Sequence, residues 1–155
     1  MKALVVFYSR TGFTKKIAWD LVGLLKCDIE EIIDMKDRRG AIGNLTACKD
    51  AANKKLTDIA EFKLDPGLYD LVIIGTPVWA FTMACAVRTY INANKDKFKE
   101  VAFFTTQGGM GDKNTYSDME HLCAKKPRAT LTLNAKEITK GVCAPRLQEF
   151  VQKLI

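Results

Sequence analysis

The chain has 155 residues, of which 48% are hydrophobic and 27% charged. That composition excludes disordered and low-complexity classes, and the length suffices to bury a core without disulfide staples. Lys and Arg number 24 against 18 Asp and Glu, a net charge of +6 held in pairs such as Arg38-Arg39, Lys54-Lys55 and Lys125-Lys126. The excess lies in the second half: the chain carries +1 before Gly75 and +5 after it. No nucleic-acid motif accompanies these charges, so the plainer reading is a solvated basic face open to acidic partners.

No apolar run approaches the roughly 18–20 residues of a membrane span. The amino-terminal residues lack the apolar stretch and cleavage site of a signal peptide. The five cysteines, Cys27, Cys48, Cys85, Cys123 and Cys143, form no C-x-x-C pair. With His121 as the one histidine, a zinc site is short of ligands. Free thiols fit a reducing, cytoplasmic location, and each is expected to serve as a small core residue.

In chain order, Lys2 to Tyr8 (KALVVFY) reads as a strand buried on both faces. Ile17, Leu21, Leu24 and Leu25 recur at helical spacing between Phe13 and Lys26. Asp28 to Ile33 is a more polar strand that suits an edge. Asn44 to Phe62 reads as a lysine-rich helix with Leu56, Ile59 and Ala60 inward. Asp65-Pro66-Gly67 is a turn, and Asp70 to Gly75 a third strand. A helix is predicted over Phe81 to Asn94, a fourth strand over Glu100 to Thr105, and a helix over Thr115 to Lys126. Ala129 to Leu133 makes the fifth strand. A last helix, entered through Pro145, carries Leu147, Phe150, Val151 and Leu154 on one side.

This alternation predicts one α/β domain over residues 1–155, a doubly wound, five-stranded parallel sheet of order 2-1-3-4-5 between two helical layers. In such sheets ligands bind beyond the carboxyl ends of the strands, where the winding reverses. Attention therefore falls on the connections after the first, third and fourth strands.

The first is Ser9-Arg10-Thr11-Gly12-Phe13-Thr14. Three hydroxyls surround one glycine at a helix start, where backbone amides are unpaired and the helix dipole is positive. Such a turn suits a phosphate. The competing reading is simple helix capping by Ser or Thr. No Walker motif is present, so nucleotide hydrolysis is disfavoured. The second connection is Thr76-Pro77-Val78-Trp79-Ala80-Phe81, in which Trp79 offers a flat face for a flat ring. Against that stands the ordinary fate of a Trp, burial in the core. The third is Thr106-Gln107-Gly108-Gly109-Met110-Gly111-Asp112, whose glycines let the backbone approach a ligand and expose amides.

The pattern [ST]-x-[ST]-G-x-T directly after the first strand resembles the FMN phosphate loop of the flavodoxin family, and the resemblance extends along the whole chain. It implies FMN as cofactor. Ser9, Arg10, Thr11, Gly12, Phe13 and Thr14 would lie at the phosphate. Thr76, Pro77, Val78, Trp79 and Ala80 would lie against the ring. Thr106, Gln107, Gly108, Gly109, Gly111 and Asp112 would hold its pyrimidine edge. It further implies a redox role, as an electron carrier or as a small NAD(P)H–quinone type reductase, with a redox protein or a small molecule as partner and neither nucleic acid nor membrane. The alternative is a binding module of the same fold that has lost FMN.

Two departures from the family pattern stand out. The loop Thr76 to Phe81 has no glycine, so positive φ is not expected in it. Its Pro77 restricts the backbone further. Acidic residues are scarce too, Asp112 alone occurring in the three connections. Both features point away from one-electron shuttling and toward two-electron transfer. A receiver domain of like topology is excluded, since Ser9-Arg10 and Gly75-Thr76 stand where its acids belong. A low-molecular-weight phosphatase is excluded for want of a cysteine in the first loop. His121 is read as a partly exposed helix residue.

Overall fold

The computed structural model describes residues 1–155. Strands β1 (Ala3–Phe7), β3 (Leu71–Trp79) and β5 (Glu100–Gln107) are near-continuous apolar runs. Runs of this kind require cover on both faces. Alternate side chains feed two cores. Leu4, Val6, Val72, Ile74, Val101 and Phe103 enter one; Val5, Phe7, Leu71, Ile73, Ala102 and Phe104 enter the other. Of the outer strands, β6 (Thr130–Asn134) buries Leu131 and Leu133 between more exposed positions, and β2 (Asp28–Glu31) buries only Glu30, as edges do. All five run parallel in the order β2-β1-β3-β5-β6, the winding expected from the sequence.

One face is covered by α2 (Gly40–Ala52), α3 (Cys85–Asn94) and α4 (Asp112–Cys123), through residues such as Ala47, Tyr90 and Met119. The other is covered by α1 (Phe13–Leu25), the short α5 (Ala135–Lys140) and α6 (Ala144–Leu154), through Ile17, Ile138 and Phe150. Burial of 40 apolar residues in these two layers supplies the dominant favourable term, at about 25 cal/mol per Å² of apolar surface removed from water. None of the helices is long and apolar enough to cross a membrane.

Several boundaries differ from the sequence expectation. The helix expected over 44–62 is α2, which starts at Gly40 and ends at Ala52. Its inner face is made of small residues, Gly43, Ala47 and Ala51, not of Leu56, Ile59 and Ala60. Gly43 is required there because a Cβ would sit 2.2 Å from the Arg38 carbonyl carbon. Beyond Lys54 the chain instead runs extended beside residues 33–35. Met35 N–H donates to the Asp58 carbonyl and Ala60 N–H to that of Ile33, both at 2.9 Å. This pairing covers the edge beyond β2. The helix expected from Phe81 begins at Cys85, because Thr82–Met83 form a short strand, β4, that folds back antiparallel on Val78 and Trp79. Strands β3 and β5 outrun their predicted ends by four and two residues, to Trp79 and Gln107. Thr76 to Trp79, Thr106 and Gln107 are therefore strand residues, not loop.

Candidate functional site

At the carboxyl edge the β1–α1 connection turns at Gly12, whose φ of 99° is the left-handed conformation that glycine adopts without cost. A Cβ at this position would meet nothing within 4 Å, so the space above the turn is open. No side chain caps α1. Its first internal bond runs from Lys16 N–H to the Gly12 carbonyl, at 3.0 Å. The amides of Phe13, Thr14 and Lys15 therefore point out of the helix end without a partner. Ser9 Oγ accepts only the Gly12 N–H, at 3.0 Å. Capping, the plain alternative for these hydroxyls, is thus not what they do. Thr11 and Phe13 are exposed and Arg10 is half-buried, while Thr14 is buried, 1% exposed.

Thr14 also joins two connections. Its Oγ1 lies 2.8 Å from Thr106 Oγ1 on β5, and one hydroxyl donates to the other. The accepting hydroxyl keeps its own proton free for another acceptor. The first and third sequence motifs therefore meet directly.

The second motif is a hairpin. Val78 pairs with Met83 and Trp79 with Thr82, leaving Ala80 and Phe81 as a two-residue turn. Their φ angles are 48° and 64°. The absence of glycine therefore does not exclude positive φ here. A two-residue turn with both residues left-handed matches the twist of the paired strands, and side-chain anchors hold it. Asn114 Nδ2 donates to the Phe81 carbonyl at 2.7 Å. Thr76 Oγ1 accepts the Ala84 N–H at 3.0 Å and donates to the Pro77 carbonyl. Thr82 donates to Asp118, which also receives Arg88 NH2 at 2.5 Å. Burial raises the Asp118 pKa, but the hydrogen bonds from Arg88 and Thr82 outweigh it and hold the carboxyl below its ordinary value.

Trp79 is 6% exposed. Tyr8 meets its ring edge-to-face at 5.3 Å, and the Arg38 guanidinium lies 5.7 Å from its centre. The flat face expected to be open thus packs on protein groups, and the exposed aromatic of this connection is Phe81, at 55%. Burial pushes the Tyr8 hydroxyl up to about 12. Arg38, 3% exposed, binds Asp34 at 2.6 Å and Asp50 at 3.1 Å. Burial works against its charge, and those two bonds more than offset it, so its pKa stands above the ordinary value.

Gly111 brings the third motif against the hairpin. Its φ is 117°, and an added Cβ would lie 2.9 Å from Val78 and 3.0 Å from Phe81. Gly108 and Gly109 are exposed with open space around them. Half-buried Gln107 donates to Asp112 at 3.4 Å, and Thr132 donates to the same carboxylate at 2.9 Å. Gln107 Oε1 is buried with no partner. All three sequence motifs are thus contiguous. Sequence reasoning missed Arg38, Asn114 and Asp118, which brace the site from outside its loops. Only the i, i+4 spacing of Asn114 and Asp118 on one helix hinted at them. A concavity of about 1170 Å³ lies at the opposite end of the strands between Met1, Cys27 and Leu154, and it includes none of these loops.

The flavodoxin family model matches residues 2–154. The chain belongs to the flavodoxin family. No curated relative matches it by sequence. A flavoprotein from Lactobacillus acidophilus NCFM, solved in complex with FMN, is 25% identical, covers 90% of this chain and 97% of its own, and superposes with a TM-score of 0.74. The apo-form of the flavoprotein from the same organism, solved by NMR, is 26% identical, with coverages of 90% and 95% and a TM-score of 0.67. Oxidised flavodoxin 1 of Bacillus cereus shares the fold at 15% identity, 98% of each chain and a TM-score of 0.55.

Proposed function

We propose that this flavodoxin binds FMN non-covalently, with the phosphate in the turn Ser9 to Thr14, and serves as a cytoplasmic redox protein. The observation that carries the reading is the uncapped start of α1, where the unpartnered amides of Phe13, Thr14 and Lys15 and the hydroxyls of Ser9 and Thr11 surround open space at Gly12. Donors of that kind, on the positive end of a helix, suit a dianionic phosphate monoester. The Thr14–Thr106 hydroxyl pair links this turn to the end of β5, and the FMN-bound relative from L. acidophilus supports the cofactor. Pro77 to Ala80 on one side and Thr106 to Asp112 on the other would hold the ring.

FMN, when bound, supplies reversible electron and hydride transfer. The chain's part is to bind, orient and screen. The hairpin is held by Asn114, Thr76 and Asp118, so its backbone is pre-organised. Two roles remain open to such a protein: electron carriage between proteins and reduction of a quinone-like acceptor by NAD(P)H. The free cysteines fit a reducing compartment. One observation favours the rival reading, a module of this fold without FMN: Trp79 already packs both against Tyr8 and under Arg38. Titration of the protein with FMN, followed by flavin fluorescence, separates the two. Stoichiometric quenching by the folded protein is expected. Unchanged fluorescence in the presence of folded protein would favour the module.

A further inference from the structure

We propose that the carboxyl edge of the sheet is a docking face for an acidic redox protein with an apolar centre. The inference rests on the FMN reading above, which gives an electron-transfer partner its reason to bind at this edge. Charge is the first observation. The connections at this edge, taken with the whole of the short α5 and the first turn of each other following helix, are residues 8–16, 32–43, 80–88, 108–115 and 135–147. They contain eleven of the 24 Lys and Arg but only four of the 18 Asp and Glu. These segments carry +7, and +3 once the acids paired with their cations from outside, Glu31, Asp20, Asp50 and Asp118, are counted with them.

Pairing within the edge leaves cations, not anions, in surplus. Arg10, Lys113, Lys136 and Lys140 make no ion pair, whereas Asp34 and Asp37 are held by Arg38 and Arg39, and Glu137 by Arg146. Asp112, the one carboxylate here without a cation, is engaged by the Thr132 hydroxyl and the Gln107 amide.

Apolar exposure is the second observation. Phe81 and Met110 are 55% and 74% exposed. Gly111 joins them, since a Cβ on it would lie 3.0 Å from Phe81. Aromatic and Met side chains are enriched at protein interfaces. Two such side chains standing out of the surface, with Lys113 two residues beyond Gly111, fit the centre and rim of a protein contact. Like-charge repulsion would turn away basic partners, and opposite charge would steer acidic ones.

The test uses FMN-loaded, nitrogen-15-labelled protein, with loading read from the flavin absorbance, so that failure to hold FMN is a separate result. The protein is titrated with a gallium-substituted two-iron ferredoxin as the acidic probe and with cytochrome c as the basic one. Amide shifts are expected with ferredoxin around Arg10, Phe81, Met110 and Lys113, with affinity falling on the order of 10-fold from low to high salt. Lys113→Glu should weaken ferredoxin binding severalfold and leave FMN loading unchanged. Tighter binding of cytochrome c, shifts on another face, or no ferredoxin shifts with flavin in place would each overturn the proposal.

Discussion

The turn after β1 leaves three helix amides without partners and a glycine under open space, whereas the hairpin after β3 has its polar groups tied to α4 and to its own strand. The two lie at one sheet edge, and the third connection touches both, through Thr106 and through Gly111. A surface that must receive an anion keeps donors free. A surface that must keep its shape satisfies them internally. Here the free donors lie at the turn that would receive the phosphate, and the extra bonds lie in the hairpin beside it.

The hairpin half of that contrast breaks most severely at Asp118. Asp118→Ala leaves Arg88 buried with no carboxylate, and Arg88 Nε already has no partner. Loss of about 3–5 kcal/mol of unfolding free energy is expected, measured by urea denaturation. The same carboxyl sets an acid limit. Its folded pKa lies below the ordinary 3.8, so its contribution is complete above the unfolded value and is lost as pH falls through the folded one. Stability followed down from pH 6 should hold to about pH 4 and then drop. In Asp118→Asn the drop should be smaller.

The binding half is tested next. Thr11→Ala should weaken FMN by about 10- to 100-fold, the equivalent of roughly 1.5–3 kcal/mol for a hydrogen bond to a charged group. Its stability should stay within about 0.5 kcal/mol of wild type, because Thr11 is exposed. A third comparison exchanges the turn residues. Gly12→Ala has room for its methyl but pays left-handed strain of about 1–2 kcal/mol. Ala80→Gly, at φ 48°, relieves that strain against the entropy of glycine, about 0.5–1 kcal/mol. Thermal melts should therefore show a loss for the first and a neutral or slightly raised midpoint for the second.

The strand order, the two helical layers and the three motifs were legible because each rests on a local pattern. Apolar runs mark the central strands, 3.6-residue spacing marks α1 and α6, and hydroxyls about Gly12 mark a helix start. What the sequence hid depends on contacts between distant segments. The segment 53–62 carries apolar residues at helical spacing, yet it pairs with 33–35 because an edge needs cover. Ala80-Phe81 is no turn signal, yet it turns, since Asn114 and Asp118 hold Phe81 and Thr82 from α4. Trp79 looked open because its loop faces the ligand edge; Arg38, from the β2–α2 connection, lies over its ring.

The central claim is that the uncapped turn at Gly12 is a phosphate site. The most direct measurement compares FMN with riboflavin, the same ring without the phosphate, by fluorescence titration of one preparation. The account predicts that FMN binds at least about 10-fold more tightly, as expected for one or more hydrogen bonds to a charged group, and that Thr11→Ala narrows the gap. Equal affinity for the two flavins, unchanged in Thr11→Ala, would contradict it.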